Sequence, residues 1–354
     1  MATTLVAVGL ALSIVAAWRS LRGGPARLFI AAGAALFTPT VAIAIDVFWG
    51  AADTLGVYVW ALHAMAIGAL MVVMAERFSR VDGPGDRLRV SFAVLSALAC
   101  ITFGVVILFT SAALTTAIAI TIVAAAWLDW QYNLPLMGLY ILAGVSTVGY
   151  RLIADPGLEW AIVAPVFEML LSHGGAVLAF SLSWMLVKSA KRPRSEVLLE
   201  SAVFSSAGIL PSTLLYLGIL NWGGEAATTS HWSIGIGATI WIALGMAQLR
   251  RLEIGGALSM LRAILGTCFL AIGGAQIALA VLILNPLFEF SGTPILGPSI
   301  LNTLIPAYLF PAIILGLGAL WLRAVPHLVR LGFIAVSVGL AGLWLDDQAF
   351  LART

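Results

Sequence analysis

The sequence predicts an all-α, polytopic integral membrane protein, and three observations carry that prediction. Composition comes first: 62% of the 354 residues are apolar, 10% are charged and the mean hydropathy is +1.07. A soluble domain carries nearer a quarter charged residues. Second, the apolar residues gather into about 12 runs, most of them near the roughly 20 residues that cross a bilayer as a helix. Third, the 18 Lys and Arg, all but Arg151 and Arg353, fall in every second gap between those runs.

The runs are read at 2–18, 28–48, 54–75, 90–110, 112–130, 134–154, 160–187, 196–219, 231–249, 256–284, 297–322 and 327–345. The first has no basic stretch before it and is followed by Arg19 and Arg22, so it is expected as a retained helix rather than a secretory signal. Basic clusters then mark alternate gaps. Arg19, Arg22 and Arg27 lie in the first gap, and Arg77, Arg80, Arg87 and Arg89 in the third. Lys188, Lys191, Arg192 and Arg194 follow in the seventh, Arg250, Arg251 and Arg262 at the ninth, Arg323 and Arg330 at the eleventh. Cytoplasmic loops carry the Lys and Arg excess. These gaps are therefore expected inside and both termini outside. No gap is long enough for a separate domain, so residues 1–354 are expected to form a single helical membrane domain. The longest outer gap, Asn285–Gly297, reads as a tight Pro- and Gly-containing loop. A net charge of +2, spread over loops, gives no footprint for nucleic acid. The expected partners are membrane lipids and other envelope proteins.

Internal similarity points to three parallel four-helix repeats, at about 1–110, 112–220 and 231–345. Ile14-Val15-Ala16-Ala17-Trp18 recurs as Ile122-Val123-Ala124-Ala125-Ala126-Trp127. A second helix then ends in an outer loop containing an acid: Asp46-Val47-Phe48-Trp49, Asp155-Pro156-Gly157-Leu158-Glu159-Trp160 and Asn285-Pro286-Leu287-Phe288-Glu289-Phe290. Each third helix closes on a basic patch, at Arg77, Lys188 or Arg323. Shared apolar composition is the alternative source of this likeness.

One long stretch runs from the Ile122 helix through Trp127 and Leu134-Pro135 to Arg151-Leu152 and Asp155-Pro156. After it come Glu225, His231-Trp232, Asn285-Pro286, Leu301-Asn302-Thr303-Leu304, Tyr308 and Pro311. Together these motifs resemble the bacterial membrane proteins of the domain-of-unknown-function 2339 family. The likeness covers most of the chain through short, mostly apolar motifs. It implies a polytopic bacterial inner-membrane protein and supplies no catalytic residue. Members usually carry a long soluble or coiled-coil segment before this region, and further helices after the position of Leu345-Asp346-Asp347-Gln348-Ala349-Phe350. The resemblance therefore implies a short or truncated member.

Ionisable residues inside membrane spans are costly and are functional candidates by default, but depth decides which of them count. At about 1.5 Å per residue, Asp46, Glu168 and Arg151 lie roughly 28, 30 and 26 Å from the cytoplasmic ends of their helices, at the outer rim. Asp155 joins them, one turn from Arg151 and read as its interfacial ion-pair partner. By the same measure His63 and His173 lie deeper, about 20 and 22 Å from the cytoplasmic ends. Under the repeat they are equivalent, with Tyr308 as the third copy. The candidate site is an outward-facing polar layer of His63, His173, Tyr308, Glu168, Asp46, Arg151 and Asp155. Its histidines either bind substrate or a proton, or are neutral and bonded to a helix carbonyl or hydroxyl, which contributes about 0.6–2 kcal/mol.

Gly235-Ile236-Gly237 and Gly316-Leu317-Gly318 are expected at close helix contacts. Pro39, Pro211, Pro306 and Pro311 are expected at kinks or at breaks that line a site. Cys100 and Cys268 read as small core residues. The sequence has no phosphate-cradling glycine loop with a following Lys-Ser or Lys-Thr, no His-Glu-x-x-His and no paired Cys. ATP hydrolysis and a zinc site are therefore unsupported, and no cofactor or metal is expected. Asp346-Asp347 resembles the acidic pairs of membrane glycosyltransferases, which normally sit in early outer loops. Three functions stay open. The leading one is a non-enzymatic envelope-support or scaffold component. The others are a secondary transporter or lipid-handling protein using the polar layer, and a membrane-embedded glycan or lipid transferase.

Overall fold

The computed structural model describes residues 2–252, 258–286, 294–298, 300–323 and 325–351. Leu287, Phe288, Glu289 and Phe290 of the expected third outer loop, and Arg353, lie outside the described residues. All regular structure among the described residues is helical. In a bilayer the backbone has no water to bond, and a helix satisfies it internally.

The chain divides into two units, Met1–Ala202 and Val203–Thr354. The N-terminal unit begins with α1 (Ala2–Leu21), α2 (Arg27–Trp49), the short α3 (Ala51–Leu55), α4 (Val57–Asp82) and α5 (Leu88–Leu108). It continues through α6 (Ser111–Tyr132), α7 (Met137–Ile153), α8 (Gly157–Val163), α9 (Val166–Met169), a π-helical turn at Leu170–Gly174, and α10 (Gly175–Ser189). The long α11 (Pro193–Thr228) carries the boundary between units and has a non-helical residue at Gly224. The C-terminal unit adds α12 (His231–Leu252), α13 (Ser259–Leu282), a second π turn at Ile305–Leu309, α14 (Phe310–Trp321) and α15 (His327–Leu351). Among the described residues ten helices are long and apolar enough to cross a membrane, or eleven if the bent pair α7 and α8 is one span. Three expected runs depart from simple spans: 160–187 is divided among α8, α9, the π turn and α10. Run 134–154 bends by 55° into α8, and run 297–322 becomes helical only from about Ile305.

In the N-terminal unit α1 pairs with α2, α4 with α5, and α6 with both α7 and α10. Small residues let these helices approach. Ala31, Ala34, Ala35, Ala93, Ala119 and Ala125 are fully buried, alongside Trp60, Ile67, Met71 and Ile122. The Ser13 and Thr38 hydroxyls share a 2.7 Å hydrogen bond between α1 and α2. Arginines at the basic end tie helix termini together. Arg89, at the start of α5, donates to the Ser20 carbonyl at 2.7 Å and forms a buried ion pair with Asp82. Arg192, just before α11, forms a two-pronged pair with Asp129 near the end of α6, at 2.9 and 2.8 Å. That carboxylate holds the Arg192 guanidinium above its ordinary pKa.

In the C-terminal unit α12 packs against α13 and α14, and α14 against α15. Its core is Ala238, Ile242, Met246, Leu304, Ala307, Tyr308, Ala312, Leu315 and Leu340. The glycine strings lie at close contacts, as their composition suggests: a Cβ on Gly318 would strike Met246, and one on Gly237 would sit 3.1 Å from Gln276. Cys100 is buried, but Cys268 is exposed on α13, a correction to its reading as a core residue. The cause is general. In a membrane protein an apolar run faces lipid as readily as it faces the core, so hydrophobicity alone does not mark the inside.

Candidate functional site

The residues expected as one polar layer have separate local roles. Asp46 accepts a hydrogen bond from the Ala52 backbone N–H at 2.8 Å, holding the start of α3 after the left-handed turn at Gly50 (φ 56°). His63 is half-buried, stacks on Trp60, and bonds through Nδ1 to the Val59 carbonyl of its own helix at 2.7 Å. Arg151 donates to the Thr115 hydroxyl and the Ser111 carbonyl, each at 3.0 Å. The expected Arg151–Asp155 ion pair does not form: α7 ends at Ile153, so the one-turn register is lost and Asp155 is exposed. Glu168 is exposed as well, in the short α9. Within the N-terminal unit no hydrogen bond or ion pair joins any two of Asp46, His63, Arg151, Asp155, Glu168 and His173.

His173 stands apart from these. It lies in the π turn Leu170–Gly174 and is 2% exposed. The turn's Leu171 carbonyl is taken by the Thr116 hydroxyl at 2.8 Å. The carbonyls of Leu152 and Met169 are near the imidazole, yet neither ring nitrogen makes a hydrogen bond of good geometry.

Tyr308 occupies the corresponding place in the second π turn, the fourth residue of five, and is fully buried. The sequence explains this turn. Pro311 has no N–H to offer the Ala307 carbonyl in α-helical register, or the Pro306 carbonyl in π register. Both carbonyls face α12 at Gly235, where a Cβ would collide with the Pro306 and Ala307 backbone. Gly235 thus permits the approach that buries Tyr308.

Around Tyr308 the C-terminal unit gathers a buried polar cluster, at the end away from Arg250, Arg251 and Arg323. The Tyr308 hydroxyl donates to the Ala280 carbonyl at 3.4 Å. His231 and Thr303 share a 3.2 Å hydrogen bond, and Thr303 in turn accepts from the Leu296 N–H at 3.1 Å. The Asn302 and Gln348 amides exchange a reciprocal pair of hydrogen bonds at 3.2 and 3.0 Å, and Asn302 also caps the Leu304 N–H. Asp347 lies within electrostatic reach of Tyr308. It is 0% exposed, and neither carboxyl oxygen has a hydrogen-bond partner among the described residues.

Below this cluster an apolar groove of about 480 Å³ is lined by residues of α12, α13, α14 and α15, among them Ile242, Gly274, Ala278, Leu315, Gly339 and Leu343. Helical spacing connects groove to cluster. Val336, Leu340 and Leu343 line the groove, and Asp347 follows them on the same face of α15. Ile242 shares a face of α12 with Ala238, Gly235 and His231, and Leu315 of α14 belongs to the same buried core as Tyr308. Gly274, Ala278, Leu282, Val336 and Gly339 are exposed, so the groove opens at the protein surface.

Of this cluster the sequence reading placed only Tyr308 in its site. His231, Asn302 and Thr303 carry the family resemblance there, and Asp347 stands with Asp346 as an acidic pair beyond the last expected run, 327–345. The missed signal was the 336, 340, 343, 347 spacing: α15 runs to Leu351, not 345, which brings Asp347 onto the inward face of a helix. No curated protein and no solved structure matches the chain. A family model does, over residues 1–349, and its description is a predicted membrane protein. The chain belongs to that family, DUF2339.

Proposed function

We propose that this multi-pass protein handles lipid in the bacterial inner membrane, admitting a single lipid side-on from the outer leaflet into the groove of its C-terminal unit. The observation that carries this reading is the apolar groove ending one helical turn short of a buried polar cluster. An acyl chain needs the first and a headgroup the second. The described Lys and Arg of the unit, Arg250, Arg251, Arg262, Arg323 and Arg330, lie at the opposite helix ends, which by the positive-inside rule favours the outer side for the cluster. A scaffold needs no such groove, and a transferase needs a reacting pair of groups that the cluster does not supply.

The same reading treats the chain as three four-helix repeats with both termini outside. Two structural parallels support it. The third helix of the second and third repeats opens with a π turn, holding His173 or Tyr308 at its fourth place. The arginine opening the fourth helix ties back to the end of the first in the first and second repeats, as Arg89 to Ser20 and Arg192 to Asp129.

Gly274 and Gly339 provide the test, because a Cβ at either would meet nothing within 4 Å. Gly274→Leu with Gly339→Leu fills the groove without disturbing the helices. The purified double variant is expected to retain less co-purifying lipid by native mass spectrometry, with unchanged thermal unfolding. Equal lipid retention by variant and parent would sink the reading. So would a change in oligomeric state alone, which would make the groove an interface between copies.

A further inference from the structure

We propose that the lipid taken by this groove carries a primary ammonium headgroup, with the Asp347 carboxylate as its counter-ion. The inference rests on the lipid-groove reading and adds the chemistry of the occupant. Asp347 has no exposed surface and no hydrogen-bond partner among the described residues. An isolated buried carboxylate is so costly that it takes up a proton or a cation. Among the described residues no Lys or Arg lies at this end. The described Lys and Arg of the C-terminal unit are Arg250, Arg251, Arg262, Arg323 and Arg330, all at the opposite helix ends. Among the described residues His231 is the only basic side chain on the inward face here, and it is engaged with Thr303.

The surroundings suit an ammonium group. Asp347 lies one turn above Leu343 on the groove face of α15, where the headgroup of a lipid seated in the groove would lie. An ammonium brings three donors and no acceptor. The two Asp347 oxygens can accept from it, and the Tyr308 hydroxyl and the Asn302–Gln348 amide pair flank the same end. An anionic headgroup would instead meet the charge of both Asp347 and the neighbouring, exposed Asp346. This end therefore discriminates by charge as well as by hydrogen bonding.

The test uses the purified full chain in nanodiscs of phosphatidylethanolamine, phosphatidylglycerol and phosphatidylcholine with matched acyl chains, reading bound lipid by native mass spectrometry. Phosphatidylethanolamine is expected to be enriched about tenfold over phosphatidylglycerol, the equivalent of one charge-assisted hydrogen bond. It should also be enriched over phosphatidylcholine, whose quaternary headgroup has no N–H to donate. Asp347→Asn should abolish the preference, whereas Asp346→Asn and Asp347→Glu should keep most of it. Filling the groove through Gly274→Leu and Gly339→Leu should remove the enriched lipid altogether. Groove-dependent lipid without headgroup preference in the parent protein overturns this inference and leaves the groove reading standing. So does a preference that survives Asp347→Asn. Bound lipid that ignores the groove-filling substitutions overturns both. The comparison of lipids on the parent protein decides the matter even if Asp347→Asn does not fold.

Discussion

Two π turns in this chain use the same backbone device in different surroundings. Leu170–Gly174 buries His173 where no side-chain partner answers it. Ile305–Leu309 buries Tyr308 beside a carboxyl, a reciprocal amide pair and a histidine–threonine bond. Both turns disrupt the regular i to i−4 ladder, and such bulges are frequent at functional sites. The difference teaches that the backbone irregularity marks a place where a group can be inserted, and the surrounding side chains decide whether that place does chemistry. By that measure the C-terminal turn carries the candidate site, and the N-terminal one is a buried polar residue in a packed seam.

The largest expected difference between the turns comes from their packing glycines. Gly235→Ala would push its Cβ into the Pro306 and Ala307 backbone, and rigid backbone cannot yield as a side chain does. The expected cost is about 3 kcal/mol, the upper end of ordinary overpacking, seen as a lowered unfolding temperature in detergent. Gly175→Ala, beside the other turn, places a Cβ 3.4 Å from Thr116, which is ordinary contact; less than about 1 kcal/mol is expected. Equal losses would erase the distinction between the turns. Next is the amide pair. Gln348→Leu removes the two hydrogen bonds that the Asn302 amide shares with Gln348, for an expected cost of about 1–2 kcal/mol.

His173→Leu is expected to act in the opposite direction. Replacing an orphaned buried imidazole with an apolar side chain removes a desolvation penalty of about 1–3 kcal/mol, offset in part by imperfect filling of the space. The measured change should be near zero or stabilising. Tyr308→Phe, by contrast, loses a long hydrogen bond to the Ala280 carbonyl and should destabilise slightly, by less than about 1 kcal/mol. A strongly destabilised His173→Leu would show that the N-terminal turn holds a group its visible neighbours do not explain.

Much of the fold was legible because one physical rule governs it. Charge is excluded from the bilayer, so the spacing of Arg19 to Arg330 outlines the helices and their alternation. Asp46 and Arg151 bond to backbone at helix ends rather than to each other across a cavity. What the sequence hid depends on helix continuity. Asp155 looked one turn from Arg151 only if α7 continued, and it stops at Ile153. Asp347 looked like a loop residue only if α15 stopped, and it continues. Cys268 shows the third limit, since an apolar helix does not declare which of its faces meets lipid.

The smallest effect is expected at His63, and it tests whether the repeat carries function as well as form. By position His63 matches His173 and Tyr308, but α4 has no π turn, and its Nδ1 is satisfied by the Val59 carbonyl four residues back. A bond within one helix survives any rearrangement between helices, so it contributes little to holding a tertiary site. His63→Phe keeps the stacking on Trp60 and gives up only that bond. The expected change is about 0.6 kcal/mol or less, with no effect on bound lipid. A loss of lipid retention in His63→Phe, at unchanged thermal stability, would mean that the first copy of the position shares the work assigned to Tyr308 and that local hydrogen bonding is a poor guide to which copies are active.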